Sequence, residues 1–234
     1  MKLAIMQPYF MPYLGYWQLM NAVDRYVVYD DVNYIKGGWI NRNRILVNGQ
    51  AEYFNLPILG GSPNKKINEV KVNQDNIILR KRLRTIEFAY KKAPYFDDVY
   101  PLMVKILSCR EENLSDYILN SFRIIGAYLG ITTELIVSSA VEKETGLSAQ
   151  EKVLSICRLL GAAEYINPIG GRKLYSYSAF RKQGICLKFL TPCITKYKQY
   201  NGEFQENLSI IDVLMFNSRE AVKEKLGDYT LITD

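Results

Sequence analysis

The stretch from Met1 to Ile45 constrains the fold more than any other part of the chain. Leu3-Ala4-Ile5-Met6 is a short apolar run that Gln7-Pro8 stops. From Leu14, apolar residues recur at Trp17, Met20 and Val23, close to helical spacing. Tyr26-Val27-Val28-Tyr29 is aromatic and β-branched, which favours a strand. Continuous apolar strands joined by a helix predict parallel strands covered on both faces. In such a sheet, ligands bind outside the carboxyl ends of the strands. Those ends are Gln7-Pro8-Tyr9 and Asp30-Asp31, and both run into polar and aromatic residues that no apolar core requires.

The rest of the chain repeats the alternation. Asn48-Gly49 predicts a hairpin turn, with a strand over 52–56. A short strand is expected over 67–72 after the loop 59–66. Asp75 is placed to cap a helix running to Tyr90, and two more helices follow, over 96–107 and from Asn113 or Ser115 to Gly130. Further strands are expected over 133–137, 165–167 and 185–190. Ser148 and Glu151 form a capping box for a helix ending at Gly161, a short helix covers 178–183, and Ser218 starts a terminal helix. The expected fold is α/β and Rossmann-like, a mainly parallel sheet flanked by helices. One domain over 1–234 is expected, with 75–130 a helical block that is either an insertion or a crossover.

Histidine is absent from the chain, which excludes Ser-His and Cys-His nucleophilic pairs and His-ligated zinc. Acid–base work falls to Asp, Glu, Lys, Tyr or Cys. Cys109, Cys157, Cys186 and Cys193 contain no C-x-x-C and read as buried hydrophobes, not disulfide partners or metal ligands, and no metal site is expected. No apolar run approaches the roughly 18 to 20 residues of a membrane span, and no leader sequence is visible, so a cytoplasmic location is expected. The net charge of +6 suits an anionic small molecule. No nucleic-acid-binding signature accompanies it, so a nucleic-acid partner is not expected. Arg80-Lys81-Arg82 with Arg84 is the densest basic run and reads as a helix face.

Four clusters are expected to meet at one sheet edge. Gln7 stands beside Tyr13, Gly15 and Tyr16, where a glycine at a helix start admits an anion. Asp30 and Asp31 can hold Mg²⁺ or a substrate amine, or one can act as a base; alternatively they are loop carboxylates bonded to backbone. Lys36, Trp39, Asn41, Arg42, Asn43 and Arg44 offer a stacking surface and guanidinium groups, with Arg42 and Arg44 on one side if the segment is extended. Ser138 and Ser139 join Gly170, Gly171, Arg172 and Tyr175 as a further anion-suited edge. Asp30, Asp31, Lys36 and Tyr16 are the catalytic candidates. Gln7, Tyr16, Asp30, Trp39, Arg42 and Arg44 are expected to line one cavity.

MQPYF-x-PYLGYWQL followed by YDDVNYIKGGWINRNRI resembles the WbqC-like protein family, as do GITTELIVSSAV, LLGAAEYINPIGGRKLY and LSIIDVLMFN in the same order. The resemblance implies a setting in surface-polysaccharide (O-antigen) or other glycan biosynthesis. The spacing of Gly15 after a strand is also distantly similar to the histidine-bearing motif of nucleotidylyltransferase and pantothenate synthetase folds, with Tyr13 and Tyr16 where those carry histidine. The leading expectation is a transferase that moves an acyl or aminoacyl group to the amino group of a nucleotide-activated amino sugar. The sequence leaves the cofactor unassigned; a carboxylate-activating version, by fold-level analogy with pantothenate synthetase, would need ATP and Mg²⁺, and an acyl donor is the other option. A sugar-nucleotide-dependent glycosyltransferase and a non-catalytic scaffold module are the alternatives.

Overall fold

The computed structural model describes residues 1–144, 146–200 and 202–233. β1 (Lys2–Met6), α1 (Leu14–Asn21) and β2 (Arg25–Val28) follow the expected strand, helix, strand order. β3 (Arg42–Val47) and β4 (Gln50–Asn55) form a hairpin turned by Asn48 (φ 50) and Gly49 (φ 79). That pair of left-handed residues is what a two-residue turn needs, and Asn-Gly adopts it at little cost. β5 (Ile58–Leu59) and β6 (Lys71–Val72) pair antiparallel. Ile67–Glu69 is a 3₁₀ turn and not part of a strand. The Glu69 carboxylate accepts from the Lys66 backbone N–H at 2.7 Å and closes the turn, a contact that apolar alternation cannot reveal.

α2 (Asn76–Tyr90), α3 (Phe96–Leu107) and α4 (Leu114–Leu129) come next. Asp75 caps α2 by accepting from Ile77 and Ile78 N–H, and Gly130 at φ 73 stops α4. Then follow β7 (Glu134–Val137), α5 (Ala149–Leu159), β8 (Glu164–Pro168), α6 (Tyr177–Arg181) and β9 (Cys186–Pro192). α7 (Ile210–Phe216), α8 (Arg219–Lys225) and β10 (Tyr229–Ile232) complete the chain.

Six strands form one sheet in the order β10-β9-β8-β1-β2-β7. All neighbouring pairs are parallel except β9 with β10. The fold is therefore Rossmann-like, and β10 is an antiparallel edge strand that the sequence reading did not anticipate. Successive strands run outward from β1 through β2 to β7, then reverse on its other side through β8 to β10. The reversal between β1 and β8 opens a crevice at the carboxyl ends, where doubly wound sheets bind ligands. α2 to α4 lie in the connection between β2 and β7, parallel neighbours, so the helical block is an elaborated crossover.

Alternate residues of each strand enter different cores. Ala4, Tyr26, Val28, Ile166 and Leu190 join the larger one with α1, α2, α3, α4, α7 and α8. Leu3, Ile5, Val27, Tyr165 and Phe189 join the smaller one with α5 and α6. Both faces are dry, which is why the strands read as continuous apolar runs.

One polar network lies inside the larger core. The Asp212 carboxylate is fully buried and accepts from Tyr90 OH at 3.0 Å, Tyr197 OH at 2.7 Å and Gln199 Nε2 at 2.7 Å. Burial raises its pKa above the ordinary carboxylate value, against the three donors. The Tyr90 hydroxyl also accepts from Leu46 N–H at 2.9 Å, tying α2 to β3 and α7. Tyr90→Phe leaves that N–H and one carboxylate oxygen short of a partner. The expected loss is about 1 to 3 kcal/mol, or about 2 to 4 °C of melting temperature per kcal/mol at this size. Thermal denaturation checks it; an unchanged melting temperature would show that the network does not hold these elements together.

Candidate functional site

The carboxyl edge carries two polar centres. The first follows β2. Asp30 is 2% exposed and accepts from Ser139 N–H at 2.9 Å, Ser139 OH at 2.7 Å and Asn68 Nδ2 at 3.1 Å. A buried carboxylate needs such donors to offset lost hydration. Asp31 points elsewhere and pairs with Lys143 Nζ at 2.7 Å, the two side chains being 15% and 13% exposed. Lys143 also donates to the Ser138 carbonyl and, at 3.1 Å, to its hydroxyl. Burial opposes ionisation of Asp31, but hydrogen bonds from Lys143 and Ser138, with the Lys143 charge, outweigh it and hold its carboxyl below the usual range. Nearby, burial and then the Asp31 charge push the Tyr29 phenol up to about 12.

The second centre is a cavity of about 280 Å³ between the loop after β1, the start of β3 and the end of β9. Tyr9, Tyr13 and Trp39 supply aromatic walls; Pro12, Asn43, Pro192 and Asn207 complete the lining with Arg44. Arg44 is the sole formally charged lining residue. Its Nε is shielded from solvent and meets no acceptor among the described residues, while Nη2 makes only a long contact, 3.4 Å, with the Glu206 carbonyl. Burial raises the pKa of Tyr9 and Tyr13, so both present neutral hydroxyls. Two non-glycine residues adopt left-handed backbone beside the cavity, Met11 at φ 43 and Asn207 at φ 54. Such strain collects at functional sites.

Of the residues expected at the site, Tyr13, Trp39, Asn43 and Arg44 line this cavity. Gln7, Tyr16, Asp30 and Arg42 do not line it. Tyr16 is buried and donates to the Gln7 carbonyl at 2.8 Å. Gly15 has a packing reason: a Cβ there would lie 2.5 Å from the Tyr13 ring and 3.1 Å from Pro192. Its absence lets Tyr13 lie across the start of α1 and form the cavity wall. Arg42 and Arg44 share one side of β3, their guanidinium carbons 5.9 and 6.0 Å from the Trp39 ring centre. Arg42, however, is engaged by the Gly37 and Gly38 carbonyls and lies 4.5 Å over the Tyr53 ring. Asn41 joins Tyr34 OH to the Leu56 carbonyl. Lys36 stands exposed in the loop before them.

Across the β1/β8 crevice, Gly170, Gly171 and Arg172 belong to a 3₁₀ turn, Ile169–Leu174, not an open loop. A Cβ on Gly171 would lie 2.0 Å from Asn167 Nδ2, so that glycine admits the Asn167 side chain, which accepts from Tyr165 OH at 3.1 Å. Arg172 is exposed, and Tyr175 packs edge-on to Tyr165 at 5.6 Å. Ser138 and Ser139 serve the two aspartates. Lys143, Asn68, Pro192 and Asn207 were not anticipated. They are remote in sequence from their partners, and only the left-handed tolerance of Asn207 leaves any local trace.

This is a doubly wound α/β protein with a polar, aromatic-walled site at the carboxyl edge of its sheet. The WbqC-like protein family matches residues 7–224, and the chain belongs to that family. It is 30% identical over 223 residues to a Mycobacterium tuberculosis protein described as uncharacterized protein Rv1507c, covering 94% of this chain and 95% of the relative. No solved structure matches the chain. Among the described residues, no helix is long and apolar enough to cross a membrane.

Because the Asp31 pKa is lowered on folding, its contribution to stability is present above the unfolded carboxylate value and lost as pH falls through the folded one. Asp31→Asn is expected to cost about 1 to 3 kcal/mol at neutral pH. The gap from the parent protein should close below about pH 4. Urea unfolding across pH measures this; a gap that persists unchanged into acid would show that Asp31 is not held ionised by Lys143.

Proposed function

We propose that the protein is an enzyme of surface-polysaccharide or glycan biosynthesis that transfers an acyl or aminoacyl group to the amino group of a nucleotide-activated amino sugar. One observation carries this reading: in the 280 Å³ cavity, three aromatic residues meet a single arginine whose shielded Nε lacks an acceptor among the described residues. Aromatic faces suit a base or a sugar ring, and a guanidinium suits a diphosphate. Arg82 Nε is likewise shielded without an acceptor among the described residues, yet Arg82 packs on Phe54; it is the place of Arg44 in an aromatic-walled cavity at the strand ends that favours an anionic ligand. Family membership supports the biosynthetic setting.

In this reading Tyr9, Tyr13 and Trp39 hold the base or sugar, and Arg44 takes the diphosphate. Asp31, kept ionised by Lys143, accepts a hydrogen bond from the substrate amine. Transfer forms a nitrogen–carbon bond, breaks the bond from the acyl carbon to its leaving group, and passes the amine proton to that leaving group. Asp30, bonded to Ser139 and Asn68, positions the end of β2 and touches no substrate.

The two arginines separate binding from structure. Arg44→Lys is expected to lower affinity for a UDP- or dTDP-amino sugar about ten- to hundredfold, the loss of one charge-assisted contact of about 1.5 to 3 kcal/mol. Its melting temperature should stay near that of the parent. Arg42→Lys should do the opposite, since lysine cannot reproduce the fork on two carbonyls. Calorimetric titration and thermal denaturation of both variants test this. Unchanged affinity in Arg44→Lys would remove the diphosphate assignment. Mass spectrometry of UDP- and dTDP-amino sugars incubated with acyl-CoA or aminoacyl donors tests the reaction; an acylated sugar nucleotide with its diphosphate intact is expected. Release of nucleoside diphosphate with sugar transfer would overturn it in favour of a glycosyltransferase.

A further inference from the structure

The basic run of α2 is not used by the carboxyl-edge site, and its placement has a consequence of its own. At about 3.6 residues per turn, Ile77, Lys81, Arg84 and Phe88 fall within one narrow arc of the helix, with Arg80 at its edge. Ile77 is 78% exposed and Phe88 is 61% exposed, two large apolar side chains open to solvent on the same arc as the cations. Arg80, Lys81 and Arg84 are exposed between them, and Lys91 and Lys92 are exposed just past the helix end. None of these five side chains forms an ion pair among the described residues. Glu87 is the single acidic residue of α2. Arg82 differs from its neighbours: it turns inward, 5.5 Å over the Phe54 ring, and anchors the helix to the hairpin. The opposite side of α2, at Ile86, Ala89 and Tyr90, is buried in the larger core.

The outer face thus carries two apolar anchors about three turns apart with unpaired cations around them. A polyanion such as nucleic acid would pair with the cations but leave both apolar side chains in water. A bilayer surface with anionic headgroups satisfies both: acyl chains receive Ile77 and Phe88, and phosphates receive the cations. We propose that the exposed face of α2 docks the protein peripherally on an anionic lipid surface. The inference stands apart from the transferase reading, because it uses no residue of the cavity.

The test is co-sedimentation of the full chain with vesicles of phosphatidylcholine, with and without phosphatidylglycerol, at low and high salt. Binding should be at least about tenfold stronger to the anionic vesicles and should weaken at high salt. The double variant Ile77→Ser, Phe88→Ser should reduce binding about tenfold, and Lys81→Glu, Arg84→Glu should abolish it. All four substitutions are at exposed positions, and circular dichroism with thermal denaturation checks that each variant is folded. Equal binding to neutral and anionic vesicles, or no vesicle binding, would overturn the proposal. So would binding that ignores the loss of Ile77 and Phe88 while heparin or a DNA duplex competes it away, since that is a generic polyanion site. Retained amino-sugar binding in these variants, measured separately, keeps a failure here distinct from a failure of the transferase reading.

Discussion

The carboxyl edge of this protein depends on one buried carboxylate. Asp30 draws Ser139 and Asn68 onto the end of β2, and so joins the adjacent strand end to the turn before β6. Removing a carboxylate from water is costly unless donors replace the lost hydration, and three donors do so here. The consequence is geometric. With Asp30 committed on one side, Asp31 faces Lys143, and the pair forms a charged centre past the end of β2. Two neighbouring acids with the same chemistry are given different positions by the tight turn after β2, where Asp30 N–H bonds back to the Val28 carbonyl at 3.0 Å.

The cavity is organised differently. Its walls come from three loops that pack because Gly15 has no side chain and Ser209 OH reaches the Met11 carbonyl at 2.7 Å. Met11 and Asn207 are held in left-handed backbone there, a cost that the buried hydrogen bonds and packing around them sustain. Arg42 and Arg44 show how one strand face can divide its labour. Both sit near Trp39, yet one is satisfied by carbonyls of the preceding loop and the other retains a guanidinium N–H without an acceptor among the described residues. That asymmetry, more than the count of arginines, supports an anionic ligand at Arg44.

Membership in the WbqC-like family, the doubly wound sheet and the unused basic face of α2 fit together on physical grounds. In the proposed reading an arginine in an aromatic cavity takes an anionic activated sugar, and the proposed docking face of α2 holds the protein at an anionic lipid surface. The two surfaces are separate in the fold, α2 lying on the crossover and the cavity at the strand ends, so each can be altered without the other.

Much of the fold was legible in the sequence because it follows from local rules. Continuous apolar strands announced a sheet covered on both faces, Asp75 and Ser148 marked helix starts, and Asn48-Gly49 marked the hairpin. Pairing of Arg42 with Arg44 on one side of β3 followed from strand alternation alone. The sequence by itself therefore determined the class of fold and pointed to the stretch that supplies most of the candidate cavity. Strand order, the edge strand β10, and the 3₁₀ turns at Ile67–Glu69 and Ile169–Leu174 came only with the tertiary structure. So did the partners of the candidate residues: that Lys143 claims Asp31, that Ser139 claims Asp30, that Tyr16 turns inward to Gln7, and that Pro192 and Asn207 close the cavity. Each of these depends on segments far apart in the chain meeting at one edge, and a pairwise contact between distant segments leaves no periodicity in either.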